Sequence, residues 1–397
     1  MGEVTDSVDS GALEPVVVSV DEKLQSLVEN VEILEFVNPV NLEQEKQAFF
    51  ASNYSRNPEF QYKDHSINAY VFKENLYRLP VDDIQDSDLQ LLYRQVVDSY
   101  ADKAEQLSSI GSRQFLYNCL RYYGEPAPTD LANAQFILHA PAIDIKAGDD
   151  TVVGETAHTA QVFPAREVKD AFIQALSHYG FQCPVEITPN MVAGAMVSKG
   201  RILINSEIQV NRLQLEALIH HELGVHMVTT MNAREQPLRL LRSGLPLNTL
   251  TQEGLAILSE YFSGNLDVER LRILALRVIA VKMLVDGNDF RRTFLALLED
   301  HGLDRERAFK LAARVYRGGG FTKDHLYLRG FRDALAFYLN GGNLKNLLVG
   351  KTTFNSSDII NRLIDRGLIK SPKHITRAFE SPRLNNPVLN YLISAIR

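Results

Sequence analysis

The sequence predicts an α+β fold that is mostly helical, with a small β-sheet placed just ahead of one unusual helix. Three observations support this. Leu213, Ala217, Leu218, His221 and Val225 keep the rhythm of one buried helical face. Short β-rich runs at Val185–Thr188, Ala195–Val197 and Arg201–Ile204 lie immediately upstream, with Lys199-Gly200 as a tight hairpin turn between the last two. Residues 265–340 then read as nearly continuous helix.

The helix after the sheet carries His220-His221-Glu222-Leu223-Gly224-Val225-His226. Asn211 is its expected N-cap. The common zinc helix spaces its histidines at i and i+4. Here the pair is His221 and His226, at i and i+5. On a straight α-helix these would diverge by roughly 140°. A single π-turn would realign them, and Gly224 between them eases that distortion. A lone histidine on an apolar face is ordinarily a core residue with a satisfied partner. Three histidines and a glutamate so close together bring a metal site into contention.

Gln252-Glu253-Gly254-Leu255-Ala256 follows downstream. Thr251 is the expected cap of a helix beginning at Gln252, with Gly264 as its stop. Glu253 then falls in the first turn, where the helix dipole favours a carboxylate. It serves the helix on that reading, or supplies a third metal ligand on the other. Two imidazoles with two carboxylates form a zinc-peptidase inventory: three ligands, an open position for water, and a general base.

His-Glu-x-x-x-His followed by Gln-Glu-Gly-Leu-Ala resembles the QEGLA-motif family. That family includes bacterial proteins described as flavohemoglobin-expression-modulating, and it is similar to the eukaryotic microtubule-associated tyrosine carboxypeptidases. Asn57-Pro58-Glu59-Phe60-Gln61-Tyr62, Tyr122-Tyr123-Gly124-Glu125-Pro126 and Gly319-Gly320-Phe321-Thr322-Lys323-Asp324 also read like family landmarks. The resemblance covers roughly residues 20–390. It implies Zn2+ on His221, His226 and Glu253, with Glu222 as general base. It implies a zincin-like catalytic core with a small β-sheet and a metal-binding helix. His220 stays a rival ligand or a core residue. The implied activity is that of a zinc metallopeptidase, a carboxypeptidase acting on a peptide or protein C-terminal tail. The alternative is a non-catalytic regulatory or scaffold protein with a closed, structural metal site.

Arg317-Gly318-Gly319-Gly320-Phe321-Thr322-Lys323-Asp324 interrupts the helical stretch. It is either a flexible connector or, as the resemblance implies, an active-site loop followed by Lys323, His325, Tyr327 and Arg329. Tyr or His there could stabilise an oxyanion, and Lys or Arg could hold a substrate carboxylate. Lys323, Tyr327 and Arg329 are the substrate-binding candidates. The strand Arg201–Asn205 is expected either as a sheet edge for extended substrate or as a purely structural strand.

Charge is unevenly placed. Residues 301–397 hold 17 Lys and Arg against 7 Asp and Glu, although the whole chain carries −7. This is a solvated basic surface or a field that draws in an acidic polypeptide. A nucleic-acid role is not expected, because no motif accompanies an acidic overall balance. Arg272, Arg277 and Lys282 break the most apolar stretch, so no membrane span is expected. Cys119 and Cys183 form no metal spacing and are expected as buried, reduced thiols of a cytoplasmic protein.

In chain order, residues 1–15 are expected as a disordered tail and residues 16–135 as an N-terminal helical wrap. That wrap holds helices over about 19–36, from Asn41 with Gln44 as a capping box, from Ser87 to Ser108, and from Ser112 to Tyr123. Residues 136–340 form the catalytic core, its β portion starting near Val152–Val153 and including a helix from Ala165 to Tyr179. Later helices are expected at 266–285, 289–300, 304–316 and 323–339. Residues 341–397 form a C-terminal helical subdomain, with a helix over Asp358–Gly367.

Overall fold

The computed structural model describes residues 13–140 and 161–397, except residues 30, 66, 190 and 385. Most of the expected tail at residues 1–15 and the strand start at Val152–Val153 lie outside the described residues.

The N-terminal part is helical, as its periodicity requires. Its main helices are α1 (Pro15–Val28), α2 (Leu42–Ala51), α3 (Ser87–Ser108), α4 (Arg113–Tyr123) and α5 (Pro128–His139). The single helix expected over 19–36 is instead α1 and a separate short turn, Ile33–Phe36. Two expected caps are corrected. Asp86, not Ser87, caps α3 and accepts from the Leu89 amide at 3.0 Å. Asn41 precedes α2 but builds no capping box, because its side chain is used elsewhere. It accepts from the Gln61 amide and donates to the Glu59 carbonyl, both at 2.9 Å. A polar side chain with a long-range partner is lost to local capping. Asp21 fastens α1 inward: its buried carboxylate accepts from Tyr93 Oη and from the Arg239 and Leu240 amides, each at 2.8 Å.

The β portion opens with β1 (Phe163–Pro164) and α6 (Ala165–Tyr179), which ends at left-handed Gly180 as expected. The three-stranded sheet comprises β2 (Val185–Thr188), β3 (Ala195–Ser198) and β4 (Arg201–Asn205). The strand order is β2-β4-β3, with β2 parallel and β3 antiparallel to β4. Lys199 and Gly200 both take positive φ, 49° and 74°, which makes the two-residue turn of a tight hairpin. A two-residue strand β5 (Gln209–Val210) pairs with β1. The expectation that Arg201–Asn205 is an edge for substrate is overturned: β4 is central and paired on both sides, so its backbone groups are spent. The edge beside the following helix is β3.

That helix, α7, runs as Arg212–Leu218, a π-helical stretch Ile219–Met227, and Val228–Arg234. Asn211 caps it as expected, in a box with Gln214. Then come α8 (Asn248–Phe262), α9 (Val268–Val285), α10 (Phe290–Leu295), α11 (Arg305–Tyr316), α12 (Leu326–Leu339), α13 (Ser357–Asp365) and α14 (Pro387–Ala395). The main apolar core joins α6, the sheet, α7, α8 and α12 with Leu344, Leu347, Leu348 and Leu392. A second core joins the N-terminal helices to Leu238–Leu245 and α13, and a third gathers Phe49, Phe290, Phe294 and Phe309.

Helices α8 and α12 approach closely along their backbones. A Cβ added to Gly254 would lie 2.1 Å from the Gly330 carbonyl oxygen, and one added to Gly330 would lie 2.2 Å from that of Leu250. Two glycines therefore let these helices touch along their backbones. The triple glycine ahead of α12 is likewise a packed turn, not a flexible connector. Gly318, Gly319 and Gly320 all have positive φ, and a Cβ at Gly319 would meet the Ser112 carbonyl at 2.3 Å.

Candidate metal centre

The π-helical stretch brings His221 and His226 onto one side of α7, with ring centroids 5.0 Å apart. The Thr376 hydroxyl donates to the Gly224 carbonyl at 2.6 Å inside this distorted stretch, which gives it a fixed partner. Glu253 arrives from α8, whose start corrects the sequence reading. The helix begins at Asn248 after Leu247 in the left-handed conformation, and Thr251 does not cap it. Glu253 therefore stands in the second turn, so the dipole of a first turn does not account for it. Its Oε2 lies 3.4 Å from His221 Nε2 and 3.7 Å from His226 Nε2.

One potential ligand atom each from His221, His226 and Glu253 lies within 4.8 Å of the others. Two imidazoles and a carboxylate are a donor set suited to a first-row divalent ion. The surroundings match that chemistry. His221 Nδ1 is 2.7 Å from Glu260 Oε1, which fixes the ring with Nε2 toward Glu253. Arg270 braces Glu260 through both carboxylate oxygens at 3.1 Å. Glu253 Oε1 accepts from Lys323 Nζ and Tyr327 Oη, both at 2.9 Å, which leaves Oε2 on the histidine side.

The charges of this buried cluster are mutually dependent. Burial alone would depress the His221 pKa, but hydrogen bonds to Glu253 and Glu260 raise it to about 10. Burial pushes Glu260 up, yet Arg270 and His221 hold it down at about 2. Burial also opposes the ionised form of Glu253, and Lys323 with the histidines outweighs it and keeps the carboxyl well below its usual range. Glu222 behaves differently. Burial raises its pKa against the opposing pull of His221 and His226. Its Oε2 accepts from the Val197 amide of β3 at 3.1 Å, so the sheet edge orients it.

These groups line a cleft of about 1490 Å³. One wall is β3 with α7, and the other includes Arg270 and Arg277 of α9 and Arg314 of α11. The family model described as microtubule-associated tyrosine carboxypeptidase matches residues 47–397. The chain belongs to the microtubule-associated tyrosine carboxypeptidase family. The match begins inside α2, whereas the resemblance read from the sequence began near residue 20. No curated protein matches the chain. Among solved structures it is similar to a putative lipoprotein from Colwellia psychrerythraea, at 14% identity and a TM-score of 0.45, covering 90% of this chain and 77% of that one.

The remaining residues singled out in this family member fall in distinct places. Lys323 and Tyr327 both reach Glu253. Arg329 is half-buried and does not line the cleft; its Nε lies 3.9 Å from Asp333 Oδ2. His325 turns into the interior, where its Nδ1 meets the Thr322 carbonyl at 2.7 Å. His220 is not part of the ligand group, and burial lowers its pKa. Cys119 is buried and Cys183 only half-buried, and both are free. Among the described residues, no helix is long and apolar enough to cross a membrane.

Sequence reading missed Glu260, Arg270 and Arg277. Glu260 had one local signal: it follows Glu253 by seven residues, two helical turns along the same face of α8.

Proposed function

We propose that this protein is a zinc-dependent metallopeptidase that acts as a carboxypeptidase on a polypeptide C-terminal tail. One observation carries the reading: His221, His226 and Glu253 converge beside a buried glutamate, Glu222, in an open cleft. The name of the family, a tyrosine carboxypeptidase, supports a tail ending in tyrosine. The basic balance of residues 301–397 supports an acidic tail.

His221, His226 and Glu253 would hold the ion. When bound, zinc supplies a Lewis acid that polarises the scissile carbonyl and acidifies water. Glu222 accepts a proton from the attacking water and returns it to the leaving amine nitrogen. Burial suits it to that task, because a carboxylate with a raised pKa is a stronger base near neutrality. The Val197 amide holds one Glu222 oxygen, so the other is the one free to exchange the proton. Lys323 and Tyr327 fix Glu253 in its ligating orientation. Their donors also lie at the cleft surface, where Tyr327 could turn to a developing oxyanion. The two free cysteines support a reducing, cytoplasmic setting.

The test combines metal analysis with hydrolysis of a glutamate-rich peptide ending in tyrosine. Wild type should retain about one zinc per chain. Folded His221→Ala, His226→Ala and Glu253→Ala variants should lose it. Glu222→Gln should keep the zinc and lose release of tyrosine. Full turnover by Glu222→Gln would remove the mechanism. Failure of wild type to take up zinc would leave a non-catalytic role as the better reading.

A further inference from the structure

Four of the cleft's cations cluster around Tyr327 and Glu260, and three of these are matched to an anion. Arg270 is committed to Glu260, and Lys323 to Glu253. Arg314 grips the buried Asp324 through Nε at 2.5 Å and Nη2 at 3.0 Å. Arg277 is the exception. It lines the cleft from α9, is only 9% exposed, and its Nε and Nη1 are buried with no acceptor among the described residues. The nearest carboxylate oxygen, Asp324 Oδ2, is 4.0 Å from its Nε and already serves Arg314. A buried guanidinium without acceptors is costly unless a ligand completes it.

The position of Arg277 specifies that ligand. Its guanidinium carbon lies 4.5 Å from the centre of the Tyr327 ring, and the hydroxyl of that ring is 2.9 Å from Glu253. The unmatched charge is therefore one tyrosine ring away from the candidate metal ligands. In a peptide, the carboxylate of the last residue lies one residue beyond the scissile carbonyl, about 3.8 Å along the chain. Guanidinium presents a planar fork that fits the two oxygens of a carboxylate. Stacking on Tyr327 fixes the plane of that fork.

Resting on the peptidase reading above, we infer that Arg277 is the receptor for the free α-carboxylate of the substrate's C-terminal residue, and so restricts the site to exopeptidase action. A longer chain threading through would offer an amide at this point. That would leave Arg277 buried without a counter-charge, which selects against internal cleavage. Burial, followed by the neighbouring Arg314, lowers the Arg277 pKa to about 10, so the group stays cationic at neutral pH. The sequence offered Lys323 or Arg329 for this role, but Lys323 is bonded to Glu253 and Arg329 does not line the cleft.

The experiment measures binding without turnover. In zinc-loaded Glu222→Gln protein, fluorescence anisotropy compares a labelled glutamate-rich peptide ending in tyrosine with its C-terminal carboxamide. The free acid should bind about 100-fold tighter. Adding Arg277→Gln should reduce that preference to about threefold while leaving the affinity for the carboxamide within a few fold. Arg277→Lys, which keeps the charge and loses the fork, should retain an intermediate preference of about tenfold and covers the case in which the glutamine variant does not fold. A full preference surviving in either folded variant overturns the inference. So does equal, or no, binding of both peptides to the Arg277 parent. The peptidase reading fails separately: if wild type releases no tyrosine yet the acid preference depends on Arg277, the carboxylate subsite stands without the hydrolase.

Discussion

Substituting Gly254 by alanine sets two effects against each other. Gly254 lies mid-helix in α8, where alanine is favoured by about 1 kcal/mol on intrinsic helix propensity. Its position opposes the change. The added Cβ would come to 2.1 Å from the Gly330 oxygen, 2.4 Å from its carbonyl carbon and 3.0 Å from its Cα. These are backbone atoms of α12 and have no rotamer to escape into, so the helices must separate by about 1 Å to reach ordinary contact. Overpacking of this kind costs about 3 kcal/mol, the upper end of the usual range. The net loss is about 2 kcal/mol, or about 2–4 °C in Tm for a chain of this length. The separation also pulls Lys323 and Tyr327 from Glu253, whose bonds to them are both 2.9 Å. Zinc affinity should then fall about tenfold. Calorimetry and competition against a chelating dye would measure the two quantities. A Tm equal to or above wild type with unchanged zinc affinity would refute the close-crossing account, because propensity would then have won. Gly330→Ala, which meets the Leu250 carbonyl at 2.2 Å, should behave in the same way.

Other outcomes follow from the charges and the distorted helix. Glu260→Gln should lower zinc affinity about 10–100-fold in equilibrium titrations, since it loosens the ring of His221 without removing a ligand; unchanged affinity would show that Glu260 has no orienting role. In the zinc-free protein, His221 has a folded pKa of about 10 against an ordinary 6.5, so its stabilising contribution is fully present below about 6.5 and is lost as pH rises through 10. The Tm of zinc-free wild type should therefore fall between pH 7 and 10, and this fall should be smaller in His221→Phe; identical profiles would contradict the assignment. Zinc uptake at pH 7 should release about one proton from His221, measurable with an indicator dye in weak buffer, and no release would mean the ring is already neutral. Thr376→Val removes the donor to the Gly224 carbonyl and should cost about 1–2 kcal/mol in denaturant unfolding, with no effect expected if water replaces the hydroxyl.

Local physics made much of this protein legible. A histidine pair at i and i+5 on an otherwise buried helical face demanded a π-distortion, and Ile219–Met227 is that distortion. Asn211 with Gln214, Lys199-Gly200 between β-branched runs, and Gly180 after Tyr179 each encode a boundary within a few residues. Such signals are short-range, because a cap, a tight turn or a helical period is satisfied by neighbours in sequence. The failures were local guesses overruled by distant partners. Asn41 spends its side chain on residues 59–61, and Glu253 has four partners on other elements where a first-turn role was expected. The strand Arg201–Asn205 proved central because β2 pairs with it in parallel, a contact that no nearby residue announces. The Gly254–Gly330 crossing, the bond of His221 to Glu260 and the isolation of Arg277 all depend on which helix faces which. Sequence periodicity says that a face is buried, and tertiary packing alone decides what meets it there and which charges are left without a partner.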